Sequence, residues 1–192
     1  IIILSAFFSV NIFGQSVAAQ FENMSFEEVI PDKINPAPAV WFGCQPGTTP
    51  DALPGVWDVK KKAADGDYYA GLLTRADGSY ESIGQRLSQT LEKNGCYTLT
   101  LDLARSDRYM TFNQPIKLRI WGSSNKCGKG QLIAESKLIA NTRWQAFSFA
   151  FIAKSDIKYI VFEAYHEGRH SRKGNVLIDN IRPVKRCVRA SL

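Results

Sequence analysis

DGDYYAGLLTRADGSYESIGQRL, residues 65–87, is the stretch whose reading decides the fold. Residues 68–75 are aromatic and aliphatic with little charge, the composition of a strand. Ala76-Asp77-Gly78-Ser79 has turn chemistry, because Asp-Gly accepts the positive φ of a tight turn. Residues 80–87 resume as a strand, with Tyr80, Ile83 and Leu87 as apolar anchors. Gly84 marks a bulge or a close approach of another chain segment. The expected unit is a β-hairpin, and the rest of the chain must close around it.

Outward from this stretch the same period-two pattern recurs. Tyr97, Leu99, Leu101 and Leu103 alternate with Thr98, Thr100 and Asp102. Ile116, Leu118 and Ile120 alternate with Lys117, Arg119 and Trp121. Phe147, Phe149 and Phe151 share a face. Ile160, Phe162 and Ala164 oppose Val161, Glu163 and Tyr165, residues 131–138 read as extended, and residues 176–181 close the fold. Residues 23–27 read as a short first strand and residues 56–59 as a brief one. Residues 30–54 hold six of the eight prolines and read as a long surface loop containing Trp41 and Phe42. Residues 83–91 carry a faint helical pattern, which Gly84 and the β-rich surroundings oppose. The expected fold class is all-β: a two-layer antiparallel β-sandwich.

The chain of 192 residues is long enough for one domain with a full core. Its composition, 45% hydrophobic and 22% charged, is that of a globular protein. The formal net charge of +6 is mild, and no nucleic-acid partner is expected. Residues 1–20 carry no charge; an apolar run to Phe13 precedes the small-x-small pattern Ser16-Val17-Ala18-Ala19, with Gly14-Gln15 as a second cleavage candidate. This reads as a secretory signal segment without its basic start. Residues 21–192 then form a single exported domain with no membrane span in the mature chain. Export makes Cys44, Cys96, Cys127 and Cys187 an even set for two disulfides. Of the three connectivities, position favours Cys44–Cys127, both in loops, and Cys96–Cys187, both flanking strands.

The order of several weak motifs resembles a known family: Asn23 with Phe26-Glu27, then Asp65-Gly-x-Tyr-x-x-Gly-Leu72, Ile83-Gly84-Gln85, Gly95-x-Tyr97-Thr98-Leu99, and Leu177-Ile178-Asp179-Asn180-Ile181. Together they are similar to the galactose-binding-like jelly roll of carbohydrate-binding modules. Gly55-Val56-Trp57-Asp58-Val59 and Trp41-Phe42-Gly43-Cys44 resemble versions in secreted and envelope proteins of Bacteroidetes. The resemblance implies a jelly-roll sandwich and sugar binding. It also implies a structural calcium held by Glu27 and Asp179, with carbonyl oxygens near residues 65–67 completing a hard oxygen shell.

His166-Glu167-Gly168-Arg169-His170 satisfies the H-E-x-x-H zincin pattern. That chemistry needs a helix to bring both imidazoles to one metal, whereas this pentapeptide follows a period-two strand, contains glycine and precedes a basic loop. It is read as a chance match. Asp102 and Glu163 are the carboxylates available for glycoside hydrolysis, with nothing marking them as acid and base. The chain is expected to be no enzyme. Sugars are gripped by aromatic platforms and planar polar side chains. Asp102, Arg119, Trp121, Glu163 and Tyr165 are the set expected to share one polar sheet face, Trp121 and Tyr165 stacking and the others gripping hydroxyls. A cross-strand ion pair between Arg119 and Glu163 is the structural alternative. Trp41, Trp57 and Tyr80 are further loop platforms, and Trp144 is assigned to the core. The leading reading is a secreted, periplasmic or cell-surface module that binds polysaccharide or glycan. An adhesion module for another envelope protein comes second, and a hydrolase third.

Overall fold

A computed structural model describes residues 16–32, 36–168 and 172–187. Most of the expected signal segment, residues 1–15, lies outside the described residues. Among the described residues there is no helix, and so none long and apolar enough to cross a membrane. Fifteen strands follow in order. The first five are short: β1 (Val17–Ala19), β2 (Val29–Ile30), β3 (Ala37–Pro38), β4 (Phe42–Gly43) and β5 (Asp51–Leu53). Then come β6 (Tyr69–Thr74), β7 (Ser82–Leu91), β8 (Cys96–Ala104), β9 (Gln114–Pro115) and β10 (Lys117–Ser123). The last five are β11 (Gln131–Glu135), β12 (Gln145–Ile152), β13 (Ile157–Tyr165), β14 (Gly174–Asp179) and β15 (Val184–Arg186).

Two curled sheets face each other. One runs β1-β15-β8-β14-β6-β5, with β12 along the free side of β8 and β9 beside β14. The other runs β11-β10-β13-β7-β4. Alternation builds the layer between them. Tyr97, Leu99, Leu101 and Leu103 of β8 share one core with Leu118 and Ile120 of β10 and Ile160 and Phe162 of β13. A second, smaller cluster covers the outer side of the larger sheet, where Leu53, Val59, Tyr69, Leu73, Tyr109 and Leu177 pack together. This explains why every residue of β6 is buried: Ala70 and Leu72 face the main core while Tyr69 and Leu73 face the second cluster.

The turn at residues 76–79 forms, with Arg75 N donating to Ser79 O at 2.8 Å. The expected hairpin does not. Beyond a single bridge, Thr74 with Tyr80, the flanking strands part into different sheets. β6 pairs with β14 over five residue positions and β7 with β13 over six. Each strand thereby gains a longer ladder than one turn can offer, and the turn becomes an arch between the layers.

Residues 23–27 are not a strand but a turn, with Phe26 at φ 62. The first strand is Val17–Ala19, paired with β15. Residues 56–59 also turn instead of extending. Within the proline-rich 30–54 segment, Trp41 is buried, not a platform for ligand. Its ring lies 5.5 Å from Phe21, 5.1 Å from Phe26 and 5.8 Å from Phe162, and its Nε1 donates to Asn23 O at 2.9 Å. Both disulfides pair as position favoured, Cys44–Cys127 and Cys96–Cys187.

Trp41 joins the loop segments 21–26 and 36–44 to the five-stranded sheet. Trp41→Ala is expected to cost ~3–5 kcal/mol in urea denaturation with the disulfides intact. A loss under about 1 kcal/mol, the level of an ordinary surface change, would show that the loops hold without it.

Candidate ligand-binding site

Adjacent β10 and β13 set the site. Arg119 stands opposite Glu163, Trp121 opposite Val161, and Lys117 opposite Tyr165. Alternation sends Leu118, Ile120 and Phe162 into the core, so Arg119, Trp121, Glu163 and Tyr165 emerge together on the outer face. The turn at 78–80, Lys129 and residues 166–168 rise around them and enclose a cleft of about 350 Å³.

Lys129 occupies the middle. Its ammonium forms an ion pair with Glu163, donates to Tyr80 Oη at 2.8 Å, and lies 4.9 Å from the Tyr80 ring and 5.8 Å from the Trp121 ring. Burial works against its charge, but Glu163 and Tyr80 outweigh burial and hold its pKa above the ordinary lysine value. The Cys44–Cys127 bond places this lysine two residues beyond the bridge, against the rim of the sheet. Gly84 makes the approach possible: a Cβ there would stand 2.8 Å from Phe42 Cε2 and 3.1 Å from Cys44 Sγ. Gly84 is thus a point of close approach.

Arg119 does not pair with Glu163. Its Nε donates to Glu135 Oε2 at 2.9 Å, and its guanidinium carbon lies 3.2 Å from the centre of the Tyr165 ring. One face of Tyr165 therefore carries Arg119, which presents a planar cation already fixed in place. Trp121 Nε1 is buried without a hydrogen-bond partner. At the wall, Arg75 is held by an ion pair to Glu81, which is 1% exposed. Burial pushes the Glu81 carboxyl up to about 7, against the pull of Arg75.

Asp102 does not belong to this face. It sits on β8 in the other sheet, where Arg182 grips it at 3.0 and 3.2 Å and Asn180 Nδ2 donates to it at 2.9 Å. Alternation fixed its face but not its sheet. Trp57 is half-buried outside this cleft, and Trp144 is half-buried against the second cluster, donating to Lys62 O at 2.9 Å. Tyr80 does line the cleft. In the H-E-x-x-H string, residues 166–168 continue as loop, and Glu167 Oε2 accepts from Lys117 at 2.6 Å. Arg169 and His170 lie outside the described residues.

Glu27 and Asp179 do converge on one loop. Glu27 accepts from Asp67 N at 3.0 Å and Tyr68 N at 2.9 Å; Asp179 accepts from Ala64 N at 2.7 Å and Asp65 N at 3.1 Å. Amide hydrogens point at both carboxylates. Among the described residues no three His, Cys, Asp or Glu side chains gather as a metal site. The amides thus take up carboxylate lone pairs that an oxygen-ligated calcium ion would need. Burial raises Asp179 to about 6 despite these amides.

Sequence reasoning missed Lys129 and Arg75 as lining residues. A signal for Lys129 existed: it follows a loop cysteine whose partner lies beside Trp41-Phe42.

No family model matches the sequence, and no curated protein matches it. Solved structures do resemble the fold. The CBM22-1 xylan-binding domain from Paenibacillus barcinonensis Xyn10C superposes with a TM-score of 0.56 at 12% identity, over 93% of this chain and 99% of that one. The K3 cleaved adhesin domain of Lys-gingipain from Porphyromonas gingivalis gives 0.53 at 13%, over 90% and 99%. The Stig cyclase Fisc from Fischerella sp. TAU gives 0.56 at 16%, over 89% and 98%. At such identities the likeness is one of fold. This chain and these domains share a β jelly-roll fold.

The Glu81 carboxyl sets a pH dependence. Its folded pKa, about 7, lies above the ordinary 4.5, so its contribution is full below pH 4.5 and is lost as pH rises through about 7. Glu81→Gln mimics the protonated acid. In urea denaturation from pH 4.5 to 8, the wild type should lose up to roughly 3 kcal/mol relative to this variant; parallel profiles would contradict the assignment. Chelation by EDTA is expected to leave Tm unchanged, and a drop of several degrees restored by calcium would reinstate the ion.

Proposed function

We propose that this chain is an exported, non-catalytic module that binds polysaccharide or glycan in the cleft over β10 and β13. One observation carries the reading: Trp121, Tyr80, Arg119, Lys129 and Glu163 converge on a single sheet face outside the core. Ring faces suit the CH surface of a pyranose, and a fixed guanidinium, ammonium and carboxylate suit its hydroxyls. The xylan-binding neighbour supports a polysaccharide as ligand. The two disulfides support an oxidising compartment, at the cell surface, in the periplasm or outside the cell. The signal segment belongs to the same reading. Within it, cleavage at Gly14-Gln15 is favoured over Ala18-Ala19, because Ala19 is buried and Val17 pairs with Lys185.

A protein partner is the second reading, favoured by the likeness to a gingipain adhesin domain. Affinity electrophoresis and calorimetry against xylan, β-glucans and acidic polysaccharides test the first. Retention by at least one polysaccharide is expected, and Trp121→Ala should weaken it about tenfold, the effect of ~1.4 kcal/mol of lost ring contact. Glu163→Gln should weaken it as well, while Trp144→Phe should leave it unchanged. Binding to none of them, beside capture of an envelope protein that sugars do not compete away, would move the function to the second reading.

A further inference from the structure

The cleft over β10 and β13 is unevenly charged. Arg75, Arg119, Lys129 and Arg172 line it, and Glu163 is its one lining carboxylate among the described residues. Lys129 takes up Glu163. Glu81 and Glu135 pair with Arg75 and Arg119, but neither lines the cleft. Cations therefore dominate the wall that a ligand meets, and two of their counter-charges stand outside it.

Two of these cations have donors left to give. Arg119 spends its Nε on Glu135 at 2.9 Å, and its two terminal nitrogens donate to no other residue among the described residues. Its plane is already held against Tyr165, 3.2 Å from the ring centre. Arg172 is exposed, and its guanidinium forms no ion pair among the described residues. Its main chain is fixed all the same, because its carbonyl accepts from Thr74 Oγ1 at 2.7 Å at the end of β6. Tyr165 and Arg172 also line an adjoining hollow of about 240 Å³, so both stand where the two hollows meet. A sugar hydroxyl accepts from a guanidinium but cancels none of its charge. A ligand that displaces water from the cleft also removes the screening of these cations, and an anionic group on the ligand offsets that loss. The planar fork of a guanidinium matches an anion that presents two oxygens.

We infer that the polysaccharide taken by this cleft is acidic, and that an oxyanion substituent of one sugar, a uronate carboxylate or a sulfate ester, is held by Arg119 and Arg172 beside Tyr165. The inference rests on the glycan-binding reading and names the charge class of its ligand.

Calorimetry of the full chain against two matched pairs and one neutral polymer tests it. The pairs are polygalacturonate with its methyl-esterified form, and dextran sulfate with dextran; the neutral polymer is xylan. Within a pair the backbone is the same and only the charge differs. In at least one pair the charged member is expected to bind at least about tenfold more tightly than its neutral form and than xylan. A gap in the first pair alone identifies a carboxylate, a gap in the second alone a sulfate ester, and a gap in both shows that either oxyanion suffices. Arg172→Gln should weaken binding of the charged member about fivefold, the scale of one partly exposed charged contact. Lys60→Gln removes the same charge at an exposed position that lines neither hollow, and should leave binding unchanged. Equal binding within both pairs, or xylan bound as tightly as any charged polymer, would overturn the acidic assignment and leave the glycan reading standing. Arg172→Gln binding no more weakly than Lys60→Gln would overturn the placement of the anion. No binding to any of the five polymers would remove the glycan reading and this inference with it.

Discussion

The antiparallel ladder between β10 and β13 is the constraint on which the rest depends. Seven residue pairs, from Lys117–Tyr165 to Ser123–Tyr159, fix the register. Because side chains alternate across a pleat, that register assigns each residue to the core or to the cleft at once. A slip of one position would carry Phe162 and Ile120 into water and Glu163 and Arg119 into the core. Stability and the binding face are therefore two sides of one ladder, and selection on either acts on both.

What the ladder cannot supply is brought by loops pinned from outside. The Cys44–Cys127 bond joins the middle of the chain's proline-rich segment to the loop that carries Lys129. It lies over Gly84, where a side chain would block it. Lys129 then meets a nearly buried carboxylate and two rings, so its position is set by electrostatics as well as by the crosslink. On the other side of the fold the 54–63 and 105–113 segments cover β6, leaving Asp51 buried at the base of a separate cleft. Glu163 pairs with Lys129 and Glu81 with Arg75, whose charge also reaches the buried Asp51.

Four of the five residues expected to share a face do so, because Arg119, Trp121, Glu163 and Tyr165 come from two strands whose alternation is clean. Asp102 alternates just as cleanly and lies in the other sheet. Face is a local property, whereas sheet membership depends on which strands pair. The stretch at 65–87 shows the same limit. Its turn chemistry is read correctly, yet a turn specifies a reversal of the chain and not the ladder beyond it. Tyr165 was legible as an exposed ring, but its role as a shelf for Arg119 depends on Glu135, which arrives from β11.

By itself the sequence determined the all-β class and the inward residues of β8, β10 and β13. These follow from side-chain period and turn chemistry, which act over a few residues. Only the tertiary structure decided which cysteines pair, that Gly84 is a close approach, that the central turn is an arch, that Trp41 is core, and that Glu27 and Asp179 accept amide hydrogens. Those outcomes rest on contacts between segments tens of residues apart, where competing ladders and burial outweigh any local preference.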